Sequence, residues 1–355
     1  MQKYKIIFSS FLLSILFIWI VGYFFCDSLL YSQHDHTLHK RIYAQDITYR
    51  QRSEGFASTH IGKFGINAIE DITALDSDKI VIWGDSYVEA FQVDDSRKMA
   101  QVATNILSQG GFPKEVTCFA VGMSGDSVAD YYFDIPKYES LIKYIRAHVI
   151  VITDLKDILP DQSSDTLRGV FKSSPLRFEQ HGWHPKFQKI KKALNYFKLY
   201  FLWNPFRSLL PSIKTLNFIP FLEKTTTRNK KTAIYEVNQI EYLNDSWNFL
   251  LKHLRNQTKH PIAFIYCPSI PQVKNGKILY ADKEHEKLSL FVDIAKKYNI
   301  SVIDASDAFC DFYKNTGFFP RGFQNSDPSR GHFNQYGHKI IAQIISSYVK
   351  SQGFQ

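Results

Sequence analysis

The first pattern along the chain is an apolar run at its N terminus. Lys3 and Lys5 precede twenty uncharged residues, Ile6–Phe25, and a helix of that length can cross a bilayer. The run ends in large side chains before Cys26, without the small residues of a signal-peptide or lipoprotein cleavage site, which favours an uncleaved anchor over a cleaved signal peptide. The two preceding lysines, with the next basic residue only at Lys40, place the N terminus in the cytoplasm and the body of the chain outside it.

Beyond this run, strand and helix patterns alternate from about residue 76. Short β-branched apolar runs predict buried strands, and apolar positions at a 3.6-residue spacing predict the helices between them. The predicted strands are 79–83, 115–122, 147–153, 261–267 and 300–305. One predicted helix starts at a Ser96 cap, buries Met99, Val102, Ala103, Ile106 and Leu107, and stops at Gly110, Gly111 and Pro113, and the last helix lies near 335–349.

This alternation predicts an α/β fold, namely a three-layer α/β/α sandwich with a parallel, flavodoxin-like sheet. Functional sites in such sheets form at the carboxyl ends of the strands. A chain of 355 residues suits one large domain with an insertion. We therefore divide the chain into five parts, which are an anchor (1–26), a stalk and lead-in (27–75), a first core part (76–160), a basic aromatic insertion (161–235) and a second core part (236–355).

The net charge of +9 is a local feature of the insertion. Residues 186–231 contain eleven Lys and Arg residues against one acid, Glu223, so the rest of the chain is close to neutral. This distribution gives no reason to expect a nucleic-acid partner. Lysines and aromatic residues interleave at 186–203. The segment is either a cap packed on the core or, less favoured, an interfacial element on the membrane or a contact for an acidic glycan.

Metal and cofactor chemistry find little support in the sequence. His34, His36 and His39 could bind a metal, but no carboxylate or cysteine pattern surrounds them, so a solvated stalk is favoured and neither a metal nor a cofactor is expected. The four cysteines are widely spaced, which leaves free thiols and a disulfide both open. Nucleotide-binding glycine motifs, the His-Glu-x-x-His motif and the Gly-x-Ser-x-Gly elbow are all missing from the sequence, which argues against those classes.

Candidate chemistry lies in a repeated tripeptide, Gly-Asp-Ser, at 84–86 and again at 125–127. The first copy directly follows a predicted strand, so Ser86 would present its hydroxyl above the strand ends. Ser127 is better interpreted as the start of the next helix, with Asp126 or Ser127 as its cap. A serine hydroxyl needs a positioned base. His332 is favoured for that role because it lies in the loop before the last helix, whereas His338 lies within the helical pattern.

These blocks resemble those of the SGNH (GDSL) hydrolase superfamily over roughly 77–160 and 255–350. The resemblance implies that Ser86 is the nucleophile and that the Gly125 N–H, with the Ser86 N–H, holds the oxyanion. The stretch "HFNQYGH" (332–338) is similar to the family's last block, which implies that His332 is the base. Two positions depart from the family pattern. Lys156, in "DLKD" (154–157), stands where the family has the asparagine that completes the oxyanion hole. A lysine ammonium group can donate to an oxyanion, so Lys156 is the candidate for the third donor.

The second departure concerns the acid that orients the histidine. In the family it lies two or three residues before the histidine, but here those positions are Arg330 and Ser329. The nearest carboxylate is Asp327, which is therefore the candidate, and a Ser86–His332 dyad is the alternative. The expected function is a serine esterase acting on an acyl ester, favoured as O-acetyl, of an extracytoplasmic glycan or lipid. The alternatives are a catalytically degenerate domain that binds a glycan or partner, and an O-acyltransferase that works with a membrane partner; the oligomeric state stays open.

Overall fold

The computed structural model describes residues 2–67, 71–110, 114–161, 169–180, 186–203 and 236–353. The helices are α1 (Gln2–Phe25), α2 (Ser86–Glu89), α3 (Met99–Ser108), α4 (Val128–Leu141), α5 (Gln188–Tyr196), α6 (Glu236–Asn256), α7 (His285–Lys297), α8 (Ser306–Thr316) and α9 (Gln335–Ser351). The strands are β1 (Ser32–Asp35), β2 (Lys40–Tyr43), β3 (Ile47–Gln51), β4 (Ala57–Ile61), β5 (Asp78–Gly84), β6 (Val116–Gly122), β7 (Ile145–Ile152), β8 (Gly169–Ser173), β9 (Leu176–Gln180), β10 (Ile262–Tyr266), β11 (Gln272–Lys274), β12 (Lys277–Leu279) and β13 (Ser301–Asp304).

The centre of the fold is a five-stranded sheet with the order β13-β10-β7-β5-β6. Each neighbouring pair is parallel, which requires crossover connections that place helices on the faces of the sheet. All five strands predicted from apolar runs form this sheet, so the predicted α/β fold with a parallel sheet is confirmed. The carboxyl ends of β5, β6 and β7 meet at one edge, since β5 lies between the other two strands.

Alternate side chains of the strands bury against two helical layers. Val81 and Trp83 of β5 belong to one apolar cluster, with residues of α4, α6 and α7. Ile80 and Ile82 belong to a second cluster on the opposite face, with residues of α3, α8 and α9. This alternation follows from the period of two along a strand, and it gives the three layers expected from the sequence.

The segment expected to be a stalk instead contains two antiparallel hairpins, β1–β2 and β3–β4. Leu38 and Ile42 are fully buried in the same cluster as the sheet, and Phe64 joins them. These strands have only four or five residues each, too few for the alternation of apolar and polar positions to stand out. The hairpins therefore belong to the folded body, and the division of the core at 27–75 and 76–160 stays a prediction.

The helix α3 begins later than the sequence predicts. The helix expected to begin at a Ser96 cap begins at Met99, after Lys98, and Ser96 lies in a preceding 3₁₀ turn. Lys98 explains the shift, because its buried ammonium group binds Thr59 Oγ1 at 2.7 Å and Asp95 Oδ1 at 2.9 Å and so fixes the chain before the helix. Gly111 and Pro113, expected to end this helix, lie outside the described residues, as does the second half of the insertion, 204–235.

By contacts between Cα atoms the chain divides into two compact units. One contains residues 32–185 and 242–355, with the parallel sheet and the candidate site. The other contains residues 1–31 and 186–241. In it, α1 is long and apolar enough to cross a membrane over Lys3–Phe25, at a mean hydropathy of 2.3. A signal sequence would have the same properties.

Candidate active site

Ser86 lies where the chain leaves β5 and turns into the short helix α2. The turn is fixed by Asp85, whose carboxylate accepts the Tyr87 N–H at 3.0 Å. Gly84 permits the tight packing, because a Cβ there would lie 2.2 Å from the Val88 side chain. The hydroxyl of Ser86 is therefore presented at the carboxyl edge of the sheet by a rigid turn.

His332 supplies an imidazole directly to this hydroxyl. Its Nε2 atom lies 2.9 Å from Ser86 Oγ, although the two residues are 246 positions apart. The histidine precedes α9, whose first turn is capped by Asn334 through the Tyr336 N–H at 2.9 Å. The His332 ring also packs on the Tyr87 ring, with 4.9 Å between centroids. The geometry thus joins the two side chains that the sequence selected as nucleophile and base.

Glu54 is the partner of the other imidazole nitrogen. Glu54 Oε2 lies 2.7 Å from His332 Nδ1, and Glu54 Oε1 accepts the His332 backbone N–H at 3.0 Å. The carboxylate therefore holds both the ring and the backbone of one residue. A proton on Nδ1 directed at Glu54 leaves Nε2 free to accept the proton of Ser86. Burial acts to raise the pKa of Glu54, but the hydrogen bonds from the His332 ring and backbone outweigh it and lower the pKa below its ordinary value.

The turn that carries Glu54 is tied to the histidine loop by Asn325. Its Nδ2 group donates to the carbonyls of Arg52 and Gly55 at 2.9 and 2.8 Å. Its Oδ1 accepts the Gly55 N–H at 2.9 Å. Gly331 completes the fit, because it adopts φ +89° and a Cβ there would lie 2.4 Å from Glu54 Oε1. The close approach of the loop that carries Glu54 to the loop that carries His332 thus depends on the glycine next to His332.

Asp327 does not occupy the orienting position expected for it, and this assignment is corrected. Its Oδ1 accepts the Ser329 N–H at 3.0 Å and bonds the Ser329 hydroxyl at 3.2 Å. Its Oδ2 lies 3.9 Å from Arg330 Nε, and the side chain is 53% exposed. Asp327 therefore stabilises its own turn, as carboxylates commonly do two residues ahead of an amide. The Ser86–His332 dyad without an acid, offered as the alternative, is likewise not what the structure shows.

The second Gly-Asp-Ser forms a turn beside the first. Ser124 and Asp126 use their N–H groups within the fold, on Glu89 Oε1 at 3.0 Å and on the Met123 carbonyl at 2.9 Å. Among the described residues, the N–H groups of Gly125 and Ser86 donate no hydrogen bond. Gly125 itself has φ +85°, a conformation that favours glycine. The place of these two amides in an oxyanion hole stays a prediction.

Ser127 and His338, the rival candidates, have other roles. Ser127 begins α4, and its N–H and hydroxyl bind Asp130 Oδ2 at 2.9 and 3.2 Å, which fits the cap predicted from the sequence. His338 is only 1% exposed, and its Nδ1 accepts the Met99 N–H at 3.3 Å. Burial lowers the pKa of His338 to about 3, so this ring is neutral and structural.

Lys156 stands at the same edge but is tied to its own loop. Its ammonium group pairs with Asp154 Oδ2 at 2.8 Å, and the side chain is 64% exposed. The hydrogen bond to Asp154 raises the pKa of Lys156. Among the described contacts, the structure does not bring this ammonium group to Ser86, so its place in the oxyanion hole stays a prediction.

Glu89 is a buried carboxyl group that sequence reasoning missed. It lies on α2, is 4% exposed, and holds the turn before Gly125 through the Ser124 N–H. Burial raises its pKa to about 7, against the opposing effect of that hydrogen bond. Its signal in the sequence is an acidic residue at an otherwise apolar position, between Val88 and Ala90.

A cavity of about 480 Å³ borders the loops that carry Glu54 and His332. Its walls combine aromatic rings with amide and guanidinium groups, among them Phe56, Arg97, Phe318, Phe323, Asn334 and Tyr336. Asn334 and Phe56 are each two residues from a member of the Ser86–His332–Glu54 triad. The cavity is thus a candidate for the part of a substrate that surrounds the reacting bond.

No known family's sequence profile matches the chain, and no curated protein matches it. Solved structures do match. An acetyl xylan esterase matches at 13% identity and a TM-score of 0.38, over 76% of this chain and 99% of its own. Another, from Geobacillus stearothermophilus, has 14% identity, a TM-score of 0.36 and coverages of 78% and 95%. A member of the lipolytic G-D-S-L family from Veillonella parvula has 12% identity and a TM-score of 0.34, over 78% of this chain and 98% of its own.

The roles of individual residues rest on the geometry of this chain.

Proposed function

We propose that the chain is a serine esterase of the SGNH type, with Ser86, His332 and Glu54 as its catalytic triad. One observation supports this above the others, namely that His332 contacts both other residues. Its Nε2 atom lies 2.9 Å from Ser86 Oγ, and its Nδ1 atom lies 2.7 Å from Glu54 Oε2. A nucleophile bonded to a base, and a base oriented by a third group, form the arrangement that activates a hydroxyl.

In the proposed reaction, Ser86 Oγ attacks the carbonyl carbon of the ester while His332 Nε2 takes the hydroxyl proton. The negative charge on the carbonyl oxygen is held by the N–H groups of Ser86 and Gly125. Glu54 remains ionised and stabilises the imidazolium. His332 returns the proton to the leaving alcohol, and water then hydrolyses the acyl-enzyme by the same steps in reverse order.

For the substrate, we infer an acyl ester, favoured as O-acetyl, on a glycan or lipid outside the cytoplasm. Two features support this inference. The apolar helix α1 would hold the chain at a membrane, and the two lysines before it favour an extracytoplasmic body. The cavity beside the triad offers aromatic faces together with amide groups, a combination that suits a sugar bearing both apolar and hydroxyl surfaces.

The test is hydrolysis of p-nitrophenyl acetate by the full-length chain in detergent, compared with Ser86→Ala and with Ser127→Ala as the matched control. We expect Ser86→Ala to lose at least about 10³-fold in rate, and Ser127→Ala to keep most of its activity. Equal rates for the wild type and Ser86→Ala would remove the nucleophile assignment.

The contact of Glu54 with His332 supports turnover over a degenerate binding domain, because it supplies a carboxylate that can orient the histidine. A fluorophosphonate probe separates the two, since it labels an activated serine covalently and leaves Ser86→Ala unlabelled. Acyl transfer to a sugar in excess over transfer to water would instead favour the acyltransferase alternative.

A further inference from the structure

The unit formed by residues 1–31 and 186–241 contains a basic segment, residues 186–203, that includes α5. Three contacts join it to α1 and the residues just after. The Trp19 indole N–H donates to the Phe197 carbonyl at 3.3 Å, and Asn195 Oδ1 accepts the Leu29 N–H at 3.3 Å. The Phe201 ring lies against Gly22, where a Cβ would be 2.5 Å from ring Cδ1. The basic segment is therefore packed on the C-terminal end of α1.

The level of these contacts along α1 can be estimated from helix geometry. At 1.5 Å per residue, Gly22 and Trp19 lie about 4.5 and 9 Å before the helix end at Phe25. Amphipathic helices at a membrane surface bury their apolar face about 5–10 Å into the boundary of headgroups and acyl chains. Trp19 and Tyr23 stack with 6.0 Å between ring centroids, and such rings are typical of the same layer. If α1 crosses a bilayer, α5 lies at its surface.

The side chains of this segment are divided as a surface helix requires. Within α5, Ile190, Ala193 and Leu194 share one face of the helical wheel, and Lys189, Lys191 and Lys192 lie on the rest of it. Phe187 and Phe197 flank the helix, and the side chains of Phe187, Ile190 and Phe197 are 42%, 39% and 60% exposed. With Lys186 and Lys198 beside the helix, the segment 186–203 has five lysines. Within the described part of the chain, no acidic side chain lies within ion-pairing distance of four of them, which are Lys186, Lys189, Lys192 and Lys198. Exposed apolar rings beside unpaired ammonium groups call for a partner that is apolar and anionic at once.

We propose that residues 186–203 lie in the headgroup layer of the membrane crossed by α1, and that their lysines bind anionic phospholipid headgroups. The proposal goes beyond the esterase function and does not depend on it. A lipid surface is favoured over an acidic glycan because the exposed rings need an apolar phase, and α1 brings one to the segment. Each lysine near an anionic surface strengthens binding roughly fivefold.

The experiment measures backbone hydrogen–deuterium exchange of peptides covering 186–203 in the full-length chain. The chain is reconstituted in nanodiscs of phosphatidylcholine alone, or of phosphatidylcholine with added phosphatidylglycerol. The test variant is Lys189→Glu with Lys192→Glu. The matched control is Lys252→Glu with Lys339→Glu, which makes the same charge change at exposed lysines in the other unit.

We expect exchange at 186–203 to slow at least about fivefold when the anionic lipid is added. The test variant should lose this protection, and the control variant should keep it. Unchanged exchange between the two lipids overturns the proposal, and this comparison needs no variant. Loss of protection in the control variant as well also overturns the proposal. A further arm adds soluble dextran sulfate, an acidic glycan, in place of the anionic lipid, and equal protection by the two overturns the proposal too. Exchange of peptides from the parallel sheet reports whether each variant has folded.

Discussion

Replacing Glu54 with glutamine tests whether Ser86 and His332 need Glu54 for catalysis, as a triad does, or work without it as a dyad. The carboxylate accepts two N–H groups of the same residue, the Nδ1–H and the backbone N–H of His332. Glutamine keeps the shape of the side chain, but its single oxygen can satisfy only one of them. If that oxygen stays on the backbone N–H, its NH₂ group faces Nδ1, which must then be unprotonated. The ring proton would sit on Nε2, where it prevents the imidazole from taking the proton of Ser86.

The size of the effect follows from this change of tautomer. In a serine triad with a buried aspartate, the equivalent substitution lowers kcat about 10⁴-fold. Here the His332 and Glu54 side chains are 25% and 22% exposed, so water can replace part of the interaction. We therefore expect kcat/KM of Glu54→Gln to fall by about 10³-fold, which corresponds to about 4 kcal/mol of transition-state stabilisation.

The assay is p-nitrophenyl acetate hydrolysis, with Asp327→Asn as the matched control. Asp327 is 53% exposed, and its contacts with described residues lie within its own turn, so we expect its variant to stay within about threefold of the wild type. Near-ultraviolet circular dichroism checks that both variants fold. If Glu54→Gln kept more than about a tenth of the wild-type rate, or if Asp327→Asn lost as much as Glu54→Gln, our account of the acid would be refuted.

The sheet and two triad members could be predicted from the sequence because their signals are local. An apolar run followed at once by Gly84 and a serine predicts a strand and a turn at its end. His332 was found by a similar rule, since it precedes a strongly periodic helix. Because the loops that follow parallel strands lie at the same edge of the sheet, Ser86 and His332 could be predicted to lie close together, although 246 positions separate them.

Glu54 could not be predicted in this way, because it lies 278 positions from His332 in a segment of short strands. Nothing in the periodicity of that segment indicated that it packs on the sheet. Family spacing directed attention to Asp327, which is near in sequence but turned to Ser329. The sequence does have a glycine beside each of these two residues. Gly55 follows Glu54, and Gly331 precedes His332. A glycine at such a place signals a close approach without naming the partner.

Three further predictions concern the surroundings of the triad. Gly331→Ala places a Cβ 2.4 Å from Glu54 Oε1 at φ +89°, so we expect about a 100-fold loss of kcat/KM, measured by ester hydrolysis. Lys156→Met should change kcat by less than about threefold, since this lysine is 64% exposed and bound to Asp154. A loss above about 10²-fold would instead support Lys156 as a donor in the oxyanion hole. Glu89→Gln tests whether burial of the Glu89 carboxyl group makes the stability of the chain depend on pH. Burial raises the pKa of Glu89 from 4.5 to about 7, so its protonated form adds stability that is fully present below about pH 4.5 and is lost as pH rises through about 7. The wild type should therefore lose about 2.5 kcal/mol of unfolding free energy between pH 5 and pH 8 relative to Glu89→Gln, measured by urea unfolding at both pH values. Parallel pH profiles for the two proteins would mean that the pKa of Glu89 in the folded chain is not raised, and the effect that we assign to its burial would be refuted.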